Sequence, residues 1–148
     1  MKYLYLGLND FYLSSAAAAM HLELVPVPPD YGKLREIKHF RPFCRCDEGM
    51  FLRMGTDKRG NEVYLAAVSA HPEIFVRGLN SLLAACGIPP AEVKIILCQP
   101  ENPQIGRIVS LLNKLGLRAA ADRLGAGMVR NRLSDLKRLI FMQKTVSA

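Results

Sequence analysis

The sequence predicts an α/β fold: a single layered domain over residues 1–148, with a mixed, mostly parallel sheet flanked by helices. The frame expected is Rossmann-like or P-loop-like, with a β-hairpin insertion. Three observations carry this expectation. Two short apolar runs, "KYLYLGL" at 2–8 and "EVKIILC" at 92–98, read as buried strands. Segments with helical spacing follow each of them. Between them, "MFLRMGTDKRGNEVYLAAV" at 50–68 has two β-prone runs split by a turn-rich stretch from Gly55 to Asn61. Strands alternating with helices imply a layered parallel sheet, and the hairpin adds an antiparallel pair.

The elements follow in order. Residues 14–24 read as an Ala-rich helix with Ser14 or Ser15 as its N-cap. "VPVPP" at 25–29 must end it, since proline lacks the amide donor and restricts its predecessor. Residues 30–40 read as a short helix capped by Asp30, and 41–49 as irregular chain. Residues 72–86 place apolar side chains at 75, 76, 79, 82, 83 and 86, which is helical spacing, with Pro72 in the first turn and Gly87 at the end. "QPENP" at 99–103 is a turn. Helix 104–116 is expected to turn Ile105, Ile108, Val109, Leu112 and Leu115 to one face. Gly125 and Gly127 argue against one long helix over 117–131, and "GMVRN" can be read as a short strand. Residues 134–144 read as a closing helix capped by Ser134.

Composition bounds the rest. Half of the 148 residues are apolar and 22% are charged, which suits a soluble folded chain. No apolar run approaches the roughly 18–20 residues of a membrane span. Lys2 and the apolar stretch after it imitate a secretory signal, but Asn9-Asp10 cut that stretch short. A cytoplasmic protein with reduced thiols is expected. Cys86 and Cys98 lie in apolar settings and read as small buried hydrophobes. Cys44 and Cys46 form a C-R-C pair near His39, with no second pair to complete a metal site. No metal and no cofactor are expected.

The net charge of +7 is unevenly placed. Lysine and arginine balance aspartate and glutamate over residues 1–104. From 105 onward, nine basic residues face only Asp122 and Asp135. Arg107, Lys114, Arg118, Arg123, Arg130, Arg132, Lys137 and Arg138 therefore form a candidate basic patch for an acidic partner or nucleic acid. Nucleic acid fits less well. The aromatics are few, lack tryptophan and concentrate near the N-terminus, whereas stacking platforms interleave aromatic with basic residues.

A ligand site in such a sheet belongs beyond the carboxyl ends of the strands. There the sequence places Asn9, Asp10, Ser14 and Ser15 after the first strand, and Gln99, Glu101 and Asn102 after the later one. If the two strands are neighbours, the loops share a crevice, and free helix amides there suit a phosphate or carboxylate. The glycines and lysine of a phosphate loop are missing, and Asp10 would repel an anion. His71, opening a helix after a strand, is the histidine best placed for function. His21, inside the first helix, reads as structural.

With these residues in view, the chain resembles an uncharacterised firmicute family, domain-of-unknown-function family 3189. In that family a strand leads through Gly-Gly and His-Ser-Ser into an Ala-rich helix ending in His-Leu and Leu-Pro. Ser14-Ser15, Ala16 to Ala19, His21-Leu22 and Leu24 to Pro26 resemble that stretch. "MGTDKRGNEVYLAAV" resembles the family's hairpin, Gly78 to Leu82 its next helix, and "IGRIVSLLNKLGL" the helix after that. The resemblance implies the same fold and favours a strand at 126–131. It implies no activity. The family's Gly-Gly falls on Asp10-Phe11 and its His on Leu13, so the loop keeps its frame and lacks its most reactive side chain.

The function expected is a non-catalytic binding or regulatory module with a degraded anion loop, paired with a second copy or a related chain. The alternatives are a protein that binds or converts a nucleotide or phosphorylated metabolite at the strand ends, and a binder of an acidic partner or nucleic acid through the basic segment.

Overall fold

The computed structural model describes residues 1–146. Its four strands are β1 (Lys2–Leu8), β2 (Leu52–Thr56), β3 (Glu62–Val68) and β4 (Val93–Cys98), in the order β2-β3-β1-β4. β1 runs parallel to both β3 and β4, and β2 pairs antiparallel with β3. The helices are α1 (Tyr12–His21), α2 (Tyr31–Glu36), α3 (Pro72–Ala85), α4 (Pro103–Lys114), α5 (Arg118–Asn131) and α6 (Leu133–Val146). The chain passes from β1 to β3 on one side, then back across β1 to β4. The switch in strand order therefore falls between β1 and β4.

Alternation along the strands builds two unequal faces. Tyr3, Tyr5, Val63, Leu65, Ala67, Ile96 and Cys98 face the larger core, with α1, α5 and α6 packed on it. All ten residues of α1 are buried. The small side chains from Ala16 to Ala19 let this helix sit between the sheet and α5. On the other face Leu4, Leu6, Ala66 and Val68 meet Phe75, Val76 and Leu79 of α3. That cover is thin. Ile74 and Leu82 remain exposed, and so does Cys86, which the sequence assigns to the interior.

Most expected elements form, and the exceptions have physical reasons. α1 starts at Tyr12, so Ser14 and Ser15 lie inside it and are not caps. Their buried hydroxyls donate instead to the Phe11 and Tyr12 carbonyls, at 3.4 and 3.2 Å. Asp30 caps α2 as expected, accepting from the Lys33 amide at 2.7 Å. Residues 118–131 form one helix, not a strand over 126–131. Gly125 is what lets α5 cross α1 closely, because a β carbon there would lie 2.3 Å from Cγ of Tyr12. In α4, Ile105, Val109 and Leu112 face the core, but Ile108 and Leu115 point outward. Ser134 falls in the first turn of α6, behind Leu133, and not ahead of the helix.

Candidate functional site

The two parallel neighbours β1 and β4 deliver their following loops to one edge, where the sequence places a ligand. Gly7, opposite Cys98 in the register, makes this edge dense. A β carbon on Gly7 would lie 2.2 Å from the Asp10 carbonyl oxygen and 3.2 Å from Ser14 Oγ. The chain turns at Asn9, with φ at 58°, and its amide donates to the Val68 carbonyl. Asp10 then points inward and is fully buried. Its Oδ1 accepts from the Leu13 amide at 3.1 Å. The protein's own carboxylate thus occupies the start of α1, where a bound anion would sit.

Asp10 is only partly satisfied. Among the described residues its Oδ2 has no hydrogen-bond partner. Burial pushes its pKa up to about 7, against the pull of the Leu13 and Tyr12 amides. The buried Cys98 thiol senses the same surroundings: burial, then the nearby Asp10 charge, push it up. Residues 41–43 close the outside. Phe11 donates its amide to the Arg41 carbonyl at 3.3 Å, and the Arg41 guanidinium lies 4.9 Å from the centre of the Phe11 ring. Arg41 is held by a two-pronged ion pair with Asp47 at 2.7 and 2.8 Å.

The remaining expected residues lie around this plug. Asn102 caps α4, accepting from the Gln104 amide at 2.9 Å, and Gln99 and Glu101 are exposed. α4 reaches the first loop through Gly106, where a β carbon would lie 3.5 Å from Asn9 Cβ. The two loops are therefore adjacent, with Asp10, Ser14 and Ser15 sealed beneath them. His71 stands apart as an exposed residue at the start of α3, with φ at 49° and Nδ1 3.5 Å from Glu73.

At the opposite end of α1 the structure gathers a group the sequence reading missed. Tyr5 Oη lies 2.7 Å from His21 Nδ1, and His21 Nε2 lies 3.2 Å from Asp57 Oδ2. Burial raises the Asp57 pKa, but hydrogen bonds from Asn61, His21 and the Arg59 amide outweigh it and hold the group down to about 2. Asp57 is thus an ionised acceptor, so Nε2 carries the imidazole proton and Nδ1 accepts from the Tyr5 hydroxyl. Burial lowers the His21 pKa, against the pull of Asp57, and raises that of the Tyr5 phenol. Every polar atom of this group is hydrogen-bonded, and the group ties α1 to the hairpin. A cavity of about 160 Å³ opens beside it. Glu23 spans its rim by pairing with Lys58 and Lys144. The signal was present in the sequence: His21-Leu22, Gly55-Thr56-Asp57 and Gly60-Asn61 are the stretches that carry the family resemblance.

The basic residues spread over three helices. Arg118 pairs with Asp122 at 3.1 Å and Arg132 with Asp135 at 3.0 Å. Arg107, Lys114, Arg123, Arg130, Lys137 and Arg138 are exposed. Among the described residues, no helix is long and apolar enough to cross a membrane.

Comparison with known proteins agrees with the resemblance. The sequence model of one family, described as a protein of unknown function (DUF3189), matches residues 2–145. No curated protein and no solved structure matches.

Proposed function

The chain belongs to the DUF3189 family, and from that premise we propose that it is a non-catalytic binding module that docks an acidic protein segment on the outer face of α4. One observation carries the proposal. Ile108, Leu111 and Leu115 are 49%, 56% and 64% exposed on that face, and Arg107 and Lys114 border them on one side. Helical geometry brings these five residues together: positions 107, 111, 114 and 115 lie within about one third of a turn, and 108 adjoins 115. An apolar stripe with a cationic margin fits a helix whose own apolar stripe is edged by glutamate or aspartate.

The carboxyl edge supports the non-catalytic half of the reading. Its anion position is filled by Asp10, and the serines beside it spend their hydroxyls on backbone carbonyls. A nucleic acid is less favoured, since the α4 stripe is aliphatic and offers no ring for a base to stack on.

The test uses two labelled helical peptides with the same leucine stripe, one edged with glutamate and one with lysine. Fluorescence anisotropy should show binding of the acidic peptide only. The binding should weaken with salt and fall about tenfold or more in Leu111→Ser, whose circular dichroism should match the parent. Equal binding of both peptides, or binding indifferent to Leu111→Ser, would defeat the proposal. Sedimentation of the protein alone supplies a second check: a stable dimer abolished by Leu111→Ser would assign the stripe to self-association instead.

A further inference from the structure

Away from both ends of α1, the turn at residues 44–47 carries a second kind of chemistry. Cys44 and Cys46 are both exposed, two residues apart on one 3-10 turn over Arg45–Asp47. With only Arg45 between them, they stand near enough for each thiol to shift the other's titration. The turn is anchored rather than loose. Asp47 accepts from the Cys44 amide at 3.0 Å and receives both prongs of Arg41. The pair is thus presented to solvent on a braced piece of backbone.

We propose that Cys44 and Cys46 form a redox-active dithiol that exchanges with low-molecular-weight disulfides, Cys44 attacking and Cys46 resolving. The roles follow from the braced, exposed turn and from the surroundings of each thiol. The neighbouring Cys46 thiol, then the Cys46 and Arg45 amides, favour the Cys44 thiolate and lower its pKa. The Cys44 thiol beside it, together with desolvation, raises the pKa of Cys46. The Arg41 guanidinium lies close enough for both thiols to influence its titration.

The chemistry balances in two steps. The Cys44 thiolate attacks one sulfur of the small disulfide, forming a mixed disulfide and expelling the first small thiolate. Cys46 then loses its proton and attacks the Cys44 sulfur, which expels the second small thiolate and closes a Cys44–Cys46 bond. Two protein thiols are oxidised, one small disulfide is reduced, and the two protons end on the released thiols. A bridge closing so short a loop is strained and exposed, so it should be readily reduced again, as a regulatory bond is.

The molecule contains its own controls. Cys86 is exposed at the C-terminal end of α3, and Cys98 is buried. In the full chain near pH 7, iodoacetamide should modify Cys44 about tenfold faster than Cys86, by peptide mass mapping, and leave Cys98 intact. Oxidised glutathione should join Cys44 to Cys46, seen as the loss of two hydrogens within one peptide and reversed by dithiothreitol. Cys46→Ser should accumulate glutathione on Cys44 instead, and Cys44→Ser should take up little. Both substitutions are at exposed positions and leave the Arg41–Asp47 brace in place. Equal modification rates at Cys44 and Cys86 would overturn the proposal. So would stable mixed disulfides on both cysteines with no internal bond.

Discussion

Helix α1 buries an ionisable side chain at each of its ends, and the two are treated in opposite ways. At its start Asp10 is fully buried, with one oxygen unpartnered among the described residues. At its end His21 is equally withdrawn, but both ring nitrogens are engaged by Tyr5 and Asp57. Burial disfavours the charged form of both, raising the carboxyl and lowering the imidazole. The difference lies in satisfaction. The His21 chain couples three elements and is complete. The Asp10 plug fills a place suited to an anion and remains half complete. A buried polar network rigidifies when every member is paired, and stores free energy when one is not.

The largest test strikes the Asp10 end through its floor. Gly7→Ala places a methyl group 2.2 Å from a backbone oxygen. A flexible side chain cannot step aside there, so β1 and the start of α1 must part. Urea unfolding should show a loss of about 3 kcal/mol or more, at the upper end of the overpacking range. A loss below about 1 kcal/mol would mean that the dense floor is not what fixes Asp10.

The next test separates the two ends by pH. The folded Asp10 pKa, about 7, exceeds its ordinary value of 3.8. The folded state therefore holds the proton more tightly than the unfolded chain. Its contribution is full below pH 3.8 and is lost as pH rises through about 7. His21 has the opposite sign. Its pKa is lowered from 6.5, so its contribution is present above that value and is lost as pH falls below it. Asp10→Asn should remove the falling arm, making the variant more resistant to urea than the parent at pH 8. At pH 5 the advantage should shrink by a few kcal/mol or reverse. Parallel urea midpoints for parent and variant across pH 5–8 would show that Asp10 is ionised throughout.

The same contrast explains what was legible in the sequence. The strand runs at 2–8 and 92–98, the hairpin and the helix over 72–85 follow from local pattern, and the structure has them. Local pattern also places Asn9, Asp10 and Asn102 at the carboxyl edge, since turn and cap chemistry is short in range. It fails where a distant neighbour decides. Gly125 reads as a helix breaker until Tyr12 is packed against it. Ser14 and Ser15 read as caps for a different reason: Asp10, only three residues before Leu13, reads as a turn residue although it reaches the helix amides first. Ile108 and Leu115 read as core, though only Ile105, Val109 and Leu112 meet it. His21 reads as an isolated histidine because its partners lie 16 and 36 residues away.

The smallest expected effect sharpens the comparison from the His21 end. Glu23 closes α1 in a left-handed conformation, φ 58°, where glycine is the usual residue. Its carboxylate joins Lys58 of the hairpin turn to Lys144 of α6, and those partners hold its pKa down to about 2. These pairs are exposed, and exposed pairs contribute little. Glu23→Gly removes them but relieves the backbone, two small effects of opposite sign. The urea midpoint should therefore stay close to the parent's. The pH dependence assigned to His21 should persist, because Tyr5 and Asp57 are untouched. A large drop in the midpoint would mean that the rim pairs, rather than the buried Tyr5–His21–Asp57 chain, hold α1 to the hairpin, and the two ends of the helix would then be less different than their hydrogen bonds indicate.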